Sequence, residues 1–375
     1  MTLIDIHVSY TSLQGGSGSK TYSDVVAMFC HIDWELQQKN PSTVPMFRDL
    51  KDQSKMCDVT ILKVDLLEAT EKAKAYDAKF GVDAVSAKKK GKKDAMLPIP
   101  EPTGVVFHET RCGSTLTANL LASFDPEHSR VYSESPPPVT ALKACDIGIP
   151  CDPQKHTKLI QDVFYLMGRT SRIDRPQFVF YKIQSIGAMA IDKFTMAFPN
   201  TPWVFIYRDS IEVMMSYFKT GVLGDNSVCT RNYGKQMNRQ PKTVQQIFQQ
   251  HGQTSMEAVE KTDYCAAHLA GLSLSALNEH SRTGKGNFVN YNQLPDAAWT
   301  KILPKFFGVQ PISDAMISNM KQVAGVYSKG RNKKANQEWA EDSTRKQNMA
   351  PEPVVKAANA YLKDVYEQME TLSSK

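Results

Sequence analysis

The sequence predicts an α/β protein with three layers, in which helices cover both faces of a mostly parallel sheet. Three observations lead to this class. Short apolar segments alternate with segments of helical apolar spacing from residue 104 onward. The short segments are apolar throughout, which is typical of strands buried on both faces. The chain has 375 residues, of which 41% are apolar and 22% charged, a composition that excludes a largely disordered protein.

The first strand of this pattern is Gly104–His108, and a helical segment follows it. On that helix Leu116, Leu120 and Phe124 share one side, as a period of 3.6 residues requires. Ligands of parallel sheets bind at the carboxyl ends of the strands, so the turns after the strands are candidate sites. In chain order the predicted strands are Gly104–His108, 130–133, 178–183, Trp203–Tyr207 and 286–291, and the predicted helices are 113–124, 157–167, 188–198 and 211–219.

The first 96 residues do not show the regular alternation of strands and helices found in the rest of the chain. We predict an N-terminal extension of unknown fold over residues 1–96 and a catalytic domain over residues 97–375, joined by a lysine- and proline-rich connection. The elements predicted within the extension are a helix over 22–38, a strand or buried segment over 59–67 and a charged helix over 69–80.

The net charge of +6 comes mainly from one short run. Five lysines lie between Lys88 and Lys93, so the rest of the chain carries only +1 (6 − 5). We interpret the run as a solvated loop and expect no broad nucleic-acid-binding face and no nucleic-acid partner.

Membrane and compartment signals are weak. No stretch of 18 apolar residues occurs, and residues 1–13 lack the apolar region of a signal peptide. The seven cysteines form no Cys-x-x-Cys pair, so we expect no metal site. Their odd number and wide spacing favour reduced thiols in a cytoplasmic protein, although Cys145 and Cys151 are close enough to form a disulfide.

The turn after the first strand has the composition of a phosphate-binding loop. Residues 111–116 read Arg-Cys-Gly-Ser-Thr-Leu, with Gly113 at the turn and the hydroxyls of Ser114 and Thr115 at the start of a helix. Unpaired N–H groups and the helix dipole attract anions there, and Arg111 adds a full charge. The alternative is an ordinary N-cap by Ser114 or Thr115. The lysine that follows the second glycine in ATP-binding loops is absent, which disfavours a magnesium-ATP kinase.

A second candidate anion site follows the fourth strand. Arg208 lies where that strand ends, and Ser216 comes eight residues later, about two turns into the next helix. A guanidinium and a hydroxyl can together bind a phosphate. The alternative is a surface pair of Arg208 with Asp209 and a Ser216 that faces the core.

These two motifs, in this order and each after an apolar strand, resemble those of the sulfotransferase family. Residues 111–116 are similar to its 5'-phosphosulfate loop, and residues 207–216 to its 3'-phosphate motif with the Arg-to-Ser spacing intact. The segment around Tyr291 is similar to the Tyr-Glu-Asp-Leu segment, and Ser328-Lys329-Gly330-Arg331 to part of the C-terminal loop that closes over the 3'-phosphate. The resemblance covers roughly residues 104–340 and implies a P-loop nucleoside-triphosphatase-like fold.

The resemblance implies 3'-phosphoadenosine-5'-phosphosulfate as co-substrate and no metal. Its implied cofactor-binding residues are Arg111, Cys112, Gly113, Ser114, Thr115, Arg208, Ser216, Tyr291, Lys329 and Arg331. Cys112 stands where the family has serine, and its other role is a small packing residue.

The catalytic residues that the resemblance implies are Arg111, Lys182 and Glu134. Lys182 ends the third strand and matches a second cation near the sulfuryl group; its alternative is a surface lysine. The histidine base of the cytosolic branch is replaced by Gln184. Glu134, after the second strand, is the best substitute as general base, with His108 and Glu109 in reserve.

The expected function is sulfuryl transfer to a hydroxyl or amine. A catalytically inactive binding protein on the same scaffold, or a P-loop-type kinase, are the alternatives. We expect the acceptor to be a small molecule or a glycan, and the sequence does not identify it further. Residues 136–151 and 221–250 are the elements expected to form its pocket. The expected compartment is the cytoplasm, or the Golgi lumen if an N-terminal anchor was removed, and the oligomeric state is open.

Overall fold

A computed structural model describes most of the chain. The described residues are 1–15, 20–80, 101–146, 151–169, 177–219, 222–223, 227–331, 337–338 and 342–374.

The centre of the protein is a five-stranded parallel sheet, so the predicted fold class is confirmed. Its order is β10-β7-β4-β6-β5, and Val106 of β4 pairs with Val204 of β7 on one side and with Lys182 of β6 on the other. The strands are β4 (Gly104–His108), β5 (Ser129–Ser133), β6 (Phe178–Lys182), β7 (Trp203–Tyr207) and β10 (Asn287–Asn290).

Helices cover both faces of this sheet and create two apolar cores. Alternate residues of β4 divide between them, with Val105 and Phe107 in the larger core and Val106 in the smaller one. Both faces are dry, which explains why the strands lack polar residues at alternate positions. The helices of this part are α4 (Ser114–Ser123), α5 (Pro136–Leu142), α6 (Pro153–Gly168), α7 (Ile191–Ala197), α8 (Ser210–Met215), α9 (Lys242–Gln250), α10 (Lys261–Thr283), α11 (Asp314–Ala324), α12 (Ser343–Asn348), α13 (Glu352–Tyr361) and α14 (Lys363–Ser373).

Shorter elements complete this part of the chain. The hairpin strands β8 (Phe218–Lys219) and β9 (Val222–Leu223) pair with each other. Turns of 3₁₀ helix cover Ser185–Ala190, Val228–Thr230, Met237–Arg239 and Tyr291–Gln293, and a π-helix covers Ala298–Phe306.

The strand order places a topological switch point at β4. From β4 the chain passes to one side for β5 and β6, and then crosses to the other side for β7 and β10. At such a point the connections leave the strand edge in opposite directions and open a crevice at the carboxyl end. The turn after His108 therefore lies where this sheet has room for a ligand.

Two helix predictions were too long or misplaced. The helix predicted over 188–198 is a 3₁₀ turn, Ser185–Ala190, followed by α7, and the helix predicted over 211–219 ends as α8 at Met215. The Ser216 hydroxyl donates to the Glu212 carbonyl 2.8 Å away, at the point where α8 ends. Among the described residues, no helix is long and apolar enough to cross a membrane.

The N-terminal segment forms a small antiparallel sheet, β1-β2-β3. The helix predicted over 22–38 is wrong, because Val25 and Ala27 alternate inward on a strand. The charged helix predicted over 69–80 is confirmed. The elements are β1 (Thr2–Val8), β2 (Val25–Cys30), α1 (Glu35–Lys39), α2 (Phe47–Gln53), β3 (Leu62–Asp65) and α3 (Leu66–Phe80).

This segment packs directly against the central sheet. Leu3 and Ile6 belong to the same apolar core as Phe107. The buried Gln37 amide donates to the Val131 carbonyl at 2.9 Å and accepts from the Val131 N–H at 3.0 Å, so it satisfies the free edge of β5. The predicted boundary at residues 96 and 97 lies outside the described residues.

The cysteines do not follow the reduced-thiol expectation. Three disulfides are present, Cys30–Cys57, Cys145–Cys151 and Cys229–Cys265, and Cys112 is the free cysteine. Only Cys145–Cys151 was considered from sequence, because the other pairs are separated by 27 and 36 residues and meet only in the folded chain.

Candidate functional site

A polar cleft lies at the carboxyl edge of the sheet and brings together most of the predicted site residues. Lys182 contacts this group through Glu134, whereas Cys112 and Arg331 are not among the lining residues. The predicted residues that line the cleft are Arg111, Gly113, Ser114, Thr115, Glu134, Arg208, Ser216, Tyr291 and Lys329.

The backbone is strained around this cleft. Among the described residues, four other than glycine have positive φ, and three of them are in the site: Thr110 (118°), Arg111 (55°) and Glu134 (56°). Such conformations cost free energy and persist where the surroundings hold them, as at active sites. Thr110 is held in part by the Tyr217 hydroxyl, 2.6 Å from its Oγ1.

The N-terminus of α4 points into the cleft without a side-chain cap. Gly113 is the N-cap residue at φ 83°, and no side chain of the described residues caps the helix there. A Cβ at Gly113 would lie 2.4 Å from the Tyr291 ring, so the position requires glycine for space as well as for φ. The hydroxyls of Ser114 and Thr115 form no hydrogen bond with the described part of the chain. These free donors fit an anion better than the ordinary N-cap considered from sequence.

Cys112 and Glu109 face away from the cleft. The Cys112 thiol is fully buried and donates to the Ile206 carbonyl at 3.1 Å, and burial raises its pKa to about 11. It is a packing residue of the loop. Glu109 accepts from Ser273 at 2.7 Å and lies below the loop, and burial raises its pKa to about 7. Glu109 is not among the described lining residues of the cleft.

Glu134, Lys182 and His108 form a compact charged group at the ends of β4, β5 and β6. The Lys182 ammonium, 1% exposed, contacts Glu134 Oε1, and His108 Nε2 lies 3.8 Å from the same oxygen. Burial alone would raise the pKa of Glu134, but the charges of Lys182 and Lys329 outweigh it and lower the pKa to about 2. Lys182 is thus buried in an ion pair, and the alternative of a surface lysine is excluded.

His108 is buried beside this pair with its polar atoms unused. The side chain is 3% exposed, and neither ring nitrogen has a hydrogen bond of good geometry within the described structure. Burial and the Lys182 charge lower the pKa of His108 to about 3, so the imidazole is neutral. The ring lines the cleft and can exchange a hydrogen bond with a ligand there.

Lys329 adds another cation to the same space. Burial, together with the charges of Arg111 and Lys182, lowers its pKa to about 8. Asn119 of α4 holds the adjacent Ser328 carbonyl at 2.9 Å. The protein thus holds like charges close together, which costs free energy unless an anion binds among them.

Arg331, from the same loop, turns outward. Its guanidinium binds both carboxylate oxygens of Asp49 on α2, at 2.8 and 2.6 Å. This contact and that of Asn119 fix both ends of Ser328–Arg331. Arg331 therefore positions Lys329 through this loop.

Arg208 is buried and forms hydrogen bonds through two of its three guanidinium nitrogens. Its Nε contacts Glu212 at 2.5 Å, one Nη donates to Asp342 at 2.9 Å and to Ser343 at 3.0 Å, and its Cζ lies 4.2 Å from the centre of the Tyr291 ring. The surface pair with Asp209 considered from sequence is not found, because Asp209 instead caps α8.

Asp342 and Lys346 were missed at the sequence level. Both line the cleft, and Lys346 binds Asp342 at 2.9 Å. Asp342 lies 134 residues after Arg208 and follows no strand, so no local pattern marks it. Its carboxylate occupies the position next to Arg208 where a phosphate is expected. Within the described residues, no group of three or more His, Cys, Asp or Glu side chains is arranged to hold a metal.

Comparison with known proteins gives matches among solved structures. No protein-family model matches the chain, and no curated protein matches it. Sulfotransferase STF9 from Mycobacterium avium is 13% identical with a TM-score of 0.40, over 76% of this chain and 80% of that one. The sulfotransferase domain from the curacin biosynthetic pathway is 14% identical with a TM-score of 0.38, over 72% of this chain and 98% of that domain. Both are sulfotransferases.

The motifs predict a resemblance to sulfotransferases, and these two solved structures are of that kind.

Proposed function

We propose that the protein is a sulfotransferase that uses 3'-phosphoadenosine-5'-phosphosulfate. One observation carries the proposal: Arg111 and Lys329 line the cleft at the N-terminus of α4, and the general-base candidate Glu134 lies in the same lining, paired with the buried Lys182. A second candidate site lies in the same cleft at Arg208, where the Asp342 carboxylate takes the place expected for a phosphate. A donor with a charged group at each end of a nucleoside fits two such sites.

The residues present fit this co-substrate. Arg111, Ser114 and Thr115 would hold the 5'-phosphosulfate, and Arg208 and Ser216 the 3'-phosphate. The Ser114 and Thr115 hydroxyls have no hydrogen bond with the described residues and are left to donate to the phosphosulfate oxygens, and glycine at position 113 leaves space for the Tyr291 ring beside them. When bound, the co-substrate supplies the sulfuryl group and the leaving phosphate.

In the transfer, an acceptor oxygen forms a bond to sulfur while the bond from sulfur to the phosphate oxygen breaks. Arg111 and Lys182 neutralise the charge that grows on the leaving phosphate. Glu134 takes the acceptor proton. Because Lys182 holds Glu134 in an ion pair, the lysine must exchange this partner for the sulfuryl group before the carboxylate becomes an effective base.

Binding of 3'-phosphoadenosine-5'-phosphate without magnesium tests the proposal. Calorimetry should show binding that is unchanged by a chelator, and labelled sulfate should pass from the donor to a hydroxyl or amine compound in a cell extract. No binding would exclude the proposal. Binding without transfer to any acceptor would favour the inactive binding protein, and turnover of labelled ATP would favour a kinase.

Affinity for this product should fall as pH rises, because Lys329 has a pKa of about 8 without ligand. A bound anion favours the ammonium form, so binding takes up a proton when Lys329 is initially neutral. If binding returns the pKa toward 10, affinity falls about tenfold between pH 7 and pH 9. Calorimetry at pH 8 in two buffers of different ionisation enthalpy measures the proton uptake. In Lys329→Met the uptake should disappear; an unchanged uptake contradicts this role.

Asp342→Asn should raise the affinity for the same product by about three- to tenfold, since it removes a carboxylate that competes for Arg208. Asp314→Asn, an exposed aspartate outside the cleft, is the matched control. Titration calorimetry of the two variants measures the difference. Weaker binding by Asp342→Asn would show that the carboxylate positions Arg208 and does not compete with the ligand.

The disulfides favour an oxidising compartment over the cytoplasm expected from sequence, in agreement with the luminal alternative. Mass spectrometry of protein alkylated without reduction, taken from its native source, should find the six paired cysteines protected. Alkylation of all six cysteines would contradict this and favour a reducing compartment.

A further inference from the structure

A second, larger cleft has a basic lining. Its volume is about 1010 Å³, and its described lining includes five lysines or arginines and two acids. Each acid pairs with a cleft lysine, Asp146 with Lys143 at 3.4 Å and Asp192 with Lys193 at 2.8 Å. An excess charge of +3 (5 − 2) therefore remains.

The excess charge comes from one stretch of chain. Lys235, Arg239 and Lys242 are exposed, and no carboxylate of the described residues lies within ion-pair distance of them. Residues 226–256 contain four lysines or arginines and no acid. In a cleft, charges of one sign reinforce each other and attract an opposite charge. Outside the lysine run the net charge of the chain is close to zero, but that sum does not show this local basic surface.

The other lining groups suit a polar ligand. Amides of Asn232, Asn238 and Gln245 line the cleft together with the cations, and the apolar lining includes Ile160 and Met189. Amide side chains both donate and accept hydrogen bonds, as multiple hydroxyl groups require.

The cleft begins close to the reacting groups. Ile186, which lines it, is four residues after Lys182, so their Cα atoms lie within about 14 Å. Lys143, also in the lining, directly follows α5, which begins two residues after Glu134. The two segments expected from sequence to form the acceptor pocket, 136–151 and 221–250, both contribute lining residues.

We propose that this cleft binds the acceptor, and that the acceptor is a polyhydroxylated compound that itself carries negative charge. That the bound compound is the acceptor of the reaction rests on the proposed function. The preference for a hydroxyl-rich anion rests on the cleft alone.

Matched polymers test the preference on the intact chain. Carboxymethyl-dextran and neutral dextran oligomers of equal length differ in charge and share their hydroxyl groups. Fluorescence anisotropy of labelled oligomers should show at least tenfold tighter binding of the anionic one, with the difference reduced by salt. Equal affinity for the two oligomers would overturn the proposal.

Substitution locates the binding. Lys235→Ala/Arg239→Ala/Lys242→Ala should weaken binding of carboxymethyl-dextran by about 10- to 100-fold. The control Lys39→Ala/Arg48→Ala/Lys72→Ala removes the same charges from exposed positions outside the cleft and should bind normally. Equal binding by the two triple variants would overturn the assignment.

Both triple variants should bind 3'-phosphoadenosine-5'-phosphate as the unmodified protein does. If the unmodified protein fails to bind this nucleotide but discriminates between the dextrans at the cleft, the proposed function fails and the anion-binding cleft stands.

Discussion

Replacing Arg111 by alanine should lower sulfate transfer by about 10²- to 10³-fold, the usual loss when one preorganised group that stabilises the transition state is removed. Affinity for 3'-phosphoadenosine-5'-phosphate should also fall, by about 10- to 100-fold, because a charge-assisted hydrogen bond to phosphate is lost. Arg111 is exposed and forms no ion pair with the described residues, so the fold should be retained. Steady-state kinetics, calorimetry and thermal unfolding measure the three quantities.

The matched control is Arg48→Ala, an exposed arginine of α2 that does not line the cleft. Unchanged turnover in Arg111→Ala would remove the loop from the site. Arg208→Ala is a poorer test. It leaves Glu212 buried without its cation, at a cost of about 3–5 kcal/mol, so lost binding would be mixed with lost stability.

The fold was predictable where burial is complete. Strands β4 and β7 were predicted at their observed bounds. Short apolar runs such as Val105 to Phe107 are buried on both faces, and such runs indicate strands of a covered sheet. For the N-terminal strand β2 the sequence predicts a helix. Its apolar residues carry both spacings, and pairing with β1 and β3, which are distant in sequence, decides between them.

The site was predictable in its local parts. The loop of Gly113 and the Arg208 motif each lie in a few consecutive residues after a strand. The contacts that determine their electrostatics join distant segments, such as Lys329 beside Arg111 and Asp342 on Arg208. A sequence read in short windows does not contain these pairs. For the same reason, two of the three disulfides were not predicted from the sequence.

Glu134→Gln should lower sulfate transfer by about 10²- to 10⁴-fold, the range expected when a general base is lost. Affinity for 3'-phosphoadenosine-5'-phosphate should be retained or increased, since a negative charge leaves an anion site. The amide still accepts a hydrogen bond from Lys182, so the buried lysine keeps a partner. Rapid-quench single-turnover kinetics separates transfer from product release, and calorimetry gives the affinity.

Glu35→Gln is the matched control, because Glu35 also pairs with a lysine but on the surface. His108→Gln separates the two base candidates. With a pKa of about 3, the neutral His108 is positioned to accept a hydrogen bond but is a weak base, and Glu134, with a pKa of about 2 while paired, becomes stronger only when Lys182 is drawn away. If Glu134 is the base, His108→Gln should lose much less activity than Glu134→Gln. The opposite order would assign the proton to His108, with Glu134 stabilising the imidazolium that forms.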